Sequence, residues 1–374
     1  MDITEQVDPA VLANARRAMP PPTLVLKGDA RARGRTYGDA MQKRIHRSLD
    51  SYRGMFETCG ISWAQAQAMA APYEAVIERT FPHLLDELRG LSEGSGVDFA
   101  SLLALNSRTE ILPPNYLAIA SAGALDAYAN ECTAFAVSGS ALLAQNWDWI
   151  GSQREALVLI EAHPDDGPAY LTVAEAGMLA KIGLNEHGLG VTLNILRSQR
   201  DGSQAGMPVH MLLRGLLDCR DLGEARELAL GLAYAGSSNI LMADAGGAVG
   251  SLEASPKGAR MIEPDGDVLC HTNHFLHADL APEEANLAGN LSTVERLSVA
   301  RARIHEVSDM VSAAALLSDT SAGFDSVCRF PNPAMPAPAA IETVVGVIMD
   351  LRSRRMHVSG AQPCVSAFHA YTLH

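Results

Sequence analysis

The sequence of 374 residues lacks the features that mark several large classes of protein. Its six cysteines are well separated and none lies in a CxxC pair, which favours reduced thiols in a cytoplasm over a disulfide framework. No run of about 18 apolar residues, the length that a membrane span requires, is present. The acidic start, MDITEQVDPA, lacks the basic and then apolar pattern of a secretory signal. These absences predict a cytoplasmic protein without a membrane partner.

Positive charge and nucleotide-binding motifs are also scarce. Lys and Arg number 29 against 43 Asp and Glu, and the formal net charge is −14. Nucleic-acid binding depends on Lys and Arg that neutralise phosphates, so we expect no nucleic-acid partner. No GxGxxG or GxxxxGKS/T motif lies between a predicted strand and a helix, and the sequence therefore predicts no nucleotide cofactor.

The first third of the sequence has the pattern of helices. Residues 1–33 carry little periodic apolar pattern and predict an irregular lead-in. From Tyr37 to about Leu105 apolar residues recur at helical spacing. Further helix starts are predicted by a capping box at 62–65 and by Pro82. One predicted apolar face carries Ile45, Leu49, Tyr52 and Phe56.

After about residue 122 the pattern changes to alternating strands, beginning with CTAFAV and ALLAQNW. Two helices, at about 207–217 and 221–234, interrupt the strands, and a capping box at 292–295 predicts a helix to about Val307. A hairpin, TVVGVIMDLRSRRMHVSG, and a short tail complete the chain. Separate runs of helix and strand predict an α+β protein with antiparallel sheets rather than alternating βαβ units.

One predicted hairpin, ECTAFAVSGSALLAQNWDW, has a cysteine at its mouth. A turn at Ser138-Gly139 or Gly139-Ser140 would place Cys132 opposite residues 145–147, with Asp148 one or two residues from that level. The hairpin would then carry a thiol and a carboxylate to the same end of a sheet. An inert buried cysteine fits this pattern too, because free cysteines are commonly buried.

The segments ECTAFAV and AQNWDW resemble the signature of the acyl-coenzyme A:6-aminopenicillanic acid acyltransferase family, the C45 group of self-processing peptidases among the N-terminal-nucleophile hydrolases. The resemblance continues in GRTYGDAMQKRI, PHLLDELRGLSEGSG, LALNSRTEI, HTNHF, SVCRF and TVVGVIMDLRSRRMHVSGAQPC. It covers residues 34 to 365 in several ordered motifs. The penicillin enzyme has glycine before its nucleophile, whereas this sequence has Glu131, which could alter the rate of processing.

The resemblance implies a self-cleaving enzyme. Cys132 would attack the carbonyl of Glu131, and hydrolysis of the thioester would leave Cys132 as a chain terminus that holds both a thiol nucleophile and an α-amine base. Residues 1–131 would be a mostly helical pro-segment, or α-chain, and residues 132–374 a catalytic β-chain. Both chains would stay packed as one globular heterodimer. The implied fold is the four-layer αββα sandwich of these hydrolases.

The positions that match the family motifs imply supporting roles. Asp148 would orient the new amine, unless it only caps a turn. Asn273 would donate to an oxyanion, unless it is an ordinary turn asparagine. Arg329 would be a cation near the site that pairs with Asp148 and lowers the pKa of the thiol. Ser326 would assist processing, or be a plain loop serine.

Two other groups of polar residues suggest chemistry. His271, His274 and His277 suggest a metal site, but no HExxH motif or cysteine pair accompanies them, and we expect no metal. Arg108 and Glu110 predict either an ion pair that positions the cleavage loop or a solvated helix end.

The resemblance implies an acyl-thioester on Cys132 that passes its acyl group to water or an amine. The substrate would be a small-molecule acyl amide, a peptide or an acyl-CoA, and we expect hydrolysis ahead of acyl transfer. One alternative is a catalytically silent relative that acts as a binding protein. Another is a papain-like hydrolase with a histidine base such as His187, although such enzymes usually place the cysteine at a helix start.

Overall fold

The structure, a computed structural model, describes residues 3–113, 116, 132–285, 291–335 and 340–373. These residues form the α-helices α1 Pro9–Arg17, α2 Ala30–Thr58, α3 Trp63–Thr80, α4 Pro82–Ser95, α5 Phe99–Asn106, α6 Arg108–Ile111, α7 Val209–Leu216, α8 Leu222–Leu230, α9 Leu291–Arg303 and α10 Met310–Leu317. They form the strands β1 Thr23–Gly28, β2 Cys132–Val137, β3 Leu142–Ile150, β4 Leu157–Pro164, β5 Tyr170–Glu175, β6 Ile182–Asn185, β7 Gly190–Val191, β8 Asn194–Ile195, β9 Ser238–Ala243, β10 Val249–Ser255, β11 Gly258–Ile262, β12 Val268–His271, β13 Ile341–Asp350, β14 Arg355–Ser359 and β15 Phe368–Thr372. The predicted cleavage residue Glu131 lies outside the described residues.

The helical prediction for the first third of the chain is confirmed. Helix α3 begins with the predicted capping box, in which Ser62 Oγ accepts from the N–H of Gln65 at 3.3 Å. Helix α4 begins at Pro82 and ends before Gly96, whose φ of 71° is the left-handed conformation that favours glycine. The predicted apolar face of α2 is completely buried, at Ile45, Leu49, Tyr52 and Phe56.

Helices α2 and α4 approach each other closely because glycines on each helix face the backbone of the other. A Cβ atom at Gly34 would lie 2.0 Å from the carbonyl oxygen of Glu87, and one at Gly90 would lie 2.2 Å from that of Arg31. Gly38 and Gly94 repeat this arrangement four residues further along each helix. No larger residue fits at this contact without moving the helices apart.

The strands form two sheets, as the α+β prediction requires. One has the order β1-β4-β5-β6-β7-β9-β10-β11, with β8 paired to β9, and the other has the order β12-β2-β3-β13-β14-β15. In the described sheets, every pairing is antiparallel except that of β1 with β4, which places Thr23 opposite Leu159. The first sheet is therefore mixed and the second antiparallel.

Three predictions of local structure are wrong. The lead-in of 1–33 is not irregular, since it contains α1 and the strand β1, whose partner β4 lies far along the chain. The short tail contains β15, which pairs with β14. Ser292 does not start a capping box: it lies inside α9, and its hydroxyl accepts from Arg296 Nε at 3.2 Å.

Alternate residues of the six-stranded sheet belong to two different cores. One face packs against α9 and α10, through residues that include Phe135, Ala144, Ile348, Leu297 and Leu316. The other face joins a large core shared with the nine-stranded sheet and helices α2–α5, through residues that include Ala134, Leu143, Trp147 and Val347. Among the helices that the structure describes, none is long and apolar enough to cross a membrane.

Candidate active site

Cys132 is the first residue of β2 and lies opposite Trp147 of β3, as the hairpin pattern predicts. The connecting loop has four residues, 138–141, rather than two, and Ala141 adopts a positive φ of 51°. Asp148 is therefore one residue beyond the level of Cys132, within the predicted range. Cys132 is buried, with 2% of its surface exposed.

Strand β12 brings Asn273 to the other side of Cys132. Because β12 pairs antiparallel with β2 and His271 lies opposite Ala134, a residue two positions further reaches the level of Cys132. The backbone N–H of Cys132 donates to Asn273 Oδ1 at 2.9 Å, and Asn273 Nδ2 donates to the carbonyl of Ile195 at 3.0 Å. The role of Asn273 as an oxyanion donor stays a prediction, since these contacts show only its position.

Helix α9 supplies a residue of the site that the sequence analysis missed. Arg296 is fully buried, and its guanidinium donates to the carbonyl oxygen of Cys132, to Thr133 Oγ1 at 3.0 Å and to Asn273 Oδ1 at 3.0 Å. The sequence does contain a signal for Arg296. It is four residues from both Ser292 and Ala300, so it lies on the helix face that carries these small residues, and an arginine on such a face is a candidate for burial.

Asp148 and Arg329 are linked through Thr343, which the sequence analysis also missed. Thr343 lies opposite Asp148 in the β3–β13 pair, and its hydroxyl donates to Asp148 Oδ1 at 2.7 Å. The same hydroxyl accepts from the backbone N–H of Arg329 at 2.9 Å. The guanidinium of Arg329 lies 3.6 Å from Asp325. The predicted residues thus form two pairs: Arg296 bonds Cys132 and Asn273, and Thr343 bonds Asp148 and Arg329.

The charges of the site act on Arg296. Burial lowers the pKa of Arg296 to about 10, and the like charge of Arg329 contributes to this shift, whereas Asp148 opposes it. Nearby, burial lowers the pKa of His274 to about 4, so this imidazole is neutral at ordinary pH. The site therefore holds a buried cation, Arg296, next to the nitrogen of Cys132.

The remaining predicted polar residues lie around this centre. Ser326 is buried, and its hydroxyl has no hydrogen-bond partner among the described residues. His271 bonds Glu253 at 2.8 Å, and His274 bonds Thr293 at 2.9 Å. In the part of the chain that the structure covers, no group of three or more His, Cys, Asp or Glu side chains is arranged to hold a metal.

Arg108 and Glu110 are not a solvated helix end, and the hydrogen bonds that the structure describes take the two side chains to different partners. Arg108 is buried, and its guanidinium lies 3.3 Å from Glu175, whose carboxylate also lies 3.6 Å from Lys181 Nζ. Glu110 instead accepts from the backbone N–H of Val209 at 2.7 Å. The local sequence could not show this, because Glu175 is on β5 and joins the helical segment only in three dimensions.

The cluster around Glu175 reaches the strand beside Cys132. Lys181 Nζ lies 3.4 Å from the ring centroid of Trp147, the residue opposite Cys132. Arg108 stacks over the ring of Tyr52 at 4.5 Å. A buried patch with two cations and one carboxylate thus lies on the inter-sheet side of the hairpin.

The papain-like alternative receives no support from the geometry. Cys132 begins a strand and not a helix, and His187 lies on an exposed turn whereas Cys132 is buried.

Three comparisons place the chain among known proteins. The model of the family "Acyl-coenzyme A:6-aminopenicillanic acid acyl-transferase" matches residues 136–363. The 40 kDa form of the acyl-coenzyme A:6-aminopenicillanic-acid-acyltransferase of Emericella nidulans is 31% identical over 138 residues, which are 36% of this chain and 38% of that protein. The match therefore spans well under half of this relative.

Two solved structures are more distant. A mutant form of the conjugated bile acid hydrolase from Clostridium perfringens is 12% identical with a TM-score of 0.43, over 65% of this chain and 97% of that one. Penicillin V acylase from Agrobacterium tumefaciens is 14% identical with a TM-score of 0.43, over 61% and 82%. These likenesses are too weak to assign anything to this chain. The family match, which covers more than half of the sequence, is sufficient by itself: the chain belongs to the acyl-coenzyme A:6-aminopenicillanic acid acyl-transferase family.

Proposed function

We propose that this chain is a self-processing N-terminal-cysteine hydrolase and acyltransferase. The observation that carries the proposal is the contact of the Cys132 backbone nitrogen with Asn273 Oδ1 at 2.9 Å. Cleavage before Cys132 would turn this nitrogen into the catalytic α-amine, and a polar side chain already binds it.

Processing would use the atoms of Cys132 itself. Its Sγ attacks the carbonyl carbon of Glu131 and the C–N bond breaks, while the thiol proton passes to the released nitrogen, which with its own hydrogen becomes the α-amine. Water then hydrolyses the thioester, which leaves a carboxyl group on Glu131 and a thiol on Cys132. Ser326 would assist this step, which its buried hydroxyl without a described partner supports.

Turnover would repeat this chemistry on a substrate. The α-amine takes the thiol proton while Sγ attacks the acyl carbonyl, and the leaving group departs with that proton. Water or an amine then attacks the acyl-thioester and regenerates the thiol. In this scheme Asp148 orients the amine, Asn273 donates to the oxyanion and Arg329 supplies positive charge.

The substrates that we propose are small-molecule acyl amides, peptides or acyl-CoA, with hydrolysis faster than acyl transfer. The relative from Emericella nidulans is named for transfer to 6-aminopenicillanic acid, and family membership supports acyl chemistry of this general kind. Steady-state rates with a panel of acyl-CoA donors and amine acceptors test the order. Aminolysis faster than hydrolysis would reverse it.

We further propose that residues 1–131 remain bound to residues 132–374 within a four-layer αββα sandwich. The pair α9 and α10 on one face of the six-stranded sheet supports an outer helical layer. The nine-stranded sheet and helices α2–α5, which share the large core, support the other layers.

Intact mass spectrometry of freshly purified protein tests the central step. We expect two fragments, one ending at Glu131 and one beginning at Cys132, and hydroxylamine should trap the thioester as a hydroxamate on Glu131. The Cys132→Ala variant should remain one chain and be inactive. Cys219→Ala is the matched control, since Cys219 is also a buried free cysteine, and it should be cut normally. A folded, uncut wild type without activity would instead favour the silent relative, and an uncut but active wild type would contradict the proposal.

A further inference from the structure

We propose that Arg296 is a positioning residue. It fixes Asn273 and Cys132 in place, and it thereby keeps the new α-amine of Cys132 as a neutral base. The inference rests on the proposed function and adds to it a residue on helix α9. It follows from the contacts of one buried side chain.

Arg296 joins three separate pieces of the chain. Its Nη1 donates to the carbonyl oxygen of Cys132 and to Thr133 Oγ1, its Nη2 donates to Asn273 Oδ1, and its Nε donates to Ser292 Oγ. The guanidinium is planar and carries five donors in a fixed fork, so it can satisfy these acceptors together, which a lysine ammonium cannot. A fully buried arginine would be unfavourable without such partners.

These contacts determine which way the Asn273 amide faces. Arginine has donors only, and so has a backbone N–H, so the atom that both approach must be the amide oxygen. The amide nitrogen is then directed to the carbonyl of Ile195, at 3.0 Å. A flip of this amide would break its hydrogen bonds to Cys132, Arg296 and Ile195 and would turn its NH₂ group towards the α-amine. Removal of Arg296 makes the flip less costly, because one of these hydrogen bonds is then already gone.

After cleavage, Asn273 Oδ1 can accept a hydrogen from the α-amine of Cys132. A neutral amine that donates there still has a lone pair for the thiol proton. The Arg296 Nη2 atom and the Cys132 nitrogen bond the same oxygen, so they lie within about 6 Å of each other. At this distance a fixed cation disfavours the ammonium form of the amine.

Other charges in the site do not replace this effect. The charges of Arg329, Asp148 and Asp325 act on Arg296, and His274 is neutral. Asp148 and Asp325 would favour the ammonium form, and Arg329 opposes them. Arg296 shares the hydrogen-bond acceptor Asn273 Oδ1 with the Cys132 nitrogen.

The test compares the pH dependence of kcat/KM in three cleaved enzymes: wild type, Arg296→Lys and Arg296→Met. The acid limb of the wild type should have a midpoint below the ordinary α-amine range of about 7.7 to 8.0. Arg296→Met should move this midpoint up by about one pH unit or more, because the cation is gone. Arg296→Lys should keep the midpoint near that of wild type but lower kcat by about tenfold or more, because the fork is lost.

The matched control is Arg214→Lys. Arg214 lies on helix α7, is also buried and is paired with Asp218 rather than with Cys132 or Asn273, so this variant should keep the wild-type pH profile. Thermal melting shows whether each variant is folded. The inference is overturned if the Arg296 variants are folded and cleaved and keep the wild-type midpoint and kcat. It is also overturned if Arg296→Met loses activity while its midpoint stays at the wild-type value.

A variant that is folded but uncut is also decisive. Millimolar guanidinium, but not urea, should then restore cleavage of Arg296→Ala by refilling the cation site, and failure to do so would contradict the inference. If no Arg296 variant folds, the wild-type profile decides, since a midpoint at or above the ordinary amine range leaves no role for the cation. An uncut wild type overturns the proposed function itself, whereas a cut wild type with unaffected Arg296 variants overturns only this inference.

Discussion

Cys132 differs from the other buried cysteines in its surroundings. Burial raises the pKa of Cys219 to about 12 and that of Cys270 to about 12, so these thiols stay protonated and are poor nucleophiles. The thiol of Cys328 lies 3.0 Å from that of Cys364, and burial raises its pKa well above the usual range. At Cys132 the backbone nitrogen bonds Asn273 Oδ1 and the carbonyl oxygen accepts from the buried Arg296.

Glu110 predicts a pH dependence of stability. Burial raises its pKa to about 7, and its Oε2 is buried without a partner among the described residues, although part of the side chain is exposed. An unfolded glutamate has a pKa of about 4.3, so the fold favours the protonated form. This contribution to the free energy of unfolding is complete below pH 4 and is lost as the pH rises through about 7. Its size is about 2 kcal/mol, a value reduced for the screening of the exposed part of the side chain by water.

Urea denaturation at pH 5 and at pH 8 measures this contribution. Glu110→Gln should be more stable than wild type at pH 8 by about 2 kcal/mol, with a smaller difference at pH 5. Glu57→Gln, on an exposed part of α2, is the control and should follow the wild type at both pH values. Equal wild-type and Glu110→Gln stabilities at pH 8 would show that the carboxylate is better solvated than its surroundings indicate.

At the scale of residues, the sequence predicted what depends on local register. The pairing of Cys132 with Trp147, and the position of Asp148 one residue further along β3, both follow from counting residues along the two strands of a hairpin. Arg296 and Thr343 were missed because their contacts depend on how α9 and β13 pack against the hairpin. The roles of Asp148, Asn273 and Arg329 remain predictions from the family motifs.

At the scale of elements, amphipathic pattern and capping signals were sufficient for the long helices and for most strands. They failed at β1 and β15, two edge strands whose short sequences carry too little alternating pattern to be recognised. They also failed at Ser292, which has capping-box spacing but lies inside α9, where its hydroxyl accepts a hydrogen bond from Arg296 Nε. Short local motifs do not distinguish these uses.

The close contact of α2 with α4 gives a second prediction. Gly34→Ala and Gly90→Ala each place a methyl group against a backbone carbonyl, so each should destabilise the fold by about 1 to 3 kcal/mol. The control is Gly54→Ala in the same helix α2, where nothing lies within 4 Å of the added atom. It should stabilise the fold by about 0.5 to 1 kcal/mol, because alanine favours helix.

Urea denaturation of the three variants gives the comparison. Opposite signs for Gly54→Ala and the two contact glycines would show that helix approach, and not helix propensity, requires glycine there. A Gly34→Ala variant as stable as wild type would mean that the helices move apart without loss.

At the scale of the whole molecule, the α+β class could be predicted, but the order of the strands could not. The pairings of β1 with β4, β12 with β2 and β13 with β3 join strands that are distant in sequence. No local pattern specifies such neighbours. The division into a helical first part and a strand-rich second part was nevertheless visible in the sequence.

The contacts across position 131 predict that cleavage will not separate the chains. Tyr37 Oη donates to the carbonyl of Met178 at 3.0 Å, Asn106 Nδ2 donates to that of Gly177 at 2.8 Å, and Arg108 pairs with Glu175. Breaking the chain at 131 removes none of these. Cleaved protein should elute from a size-exclusion column at the volume of the uncut Cys132→Ala variant, and its fragments should separate only in denaturant.

Loss of the α-chain on a native column would contradict this expectation. A mixture of cleaved and uncut protein is a useful internal comparison, since both forms should elute together.

Strand β1 closes one side of the nine-stranded sheet by lying against β4. If the first 28 residues were trimmed, the hydrogen-bonding groups along β4 would be open to strands of other molecules, a common origin of aggregation. In the intact protein β1 is the edge strand, with Lys27 and the half-exposed Val25 on it. A charged side chain on an edge strand discourages pairing with other molecules. The stretch that looked irregular in the sequence thus has a consequence for handling the protein: shortened versions that begin at α2 should express poorly and precipitate, even with every residue of the active site intact.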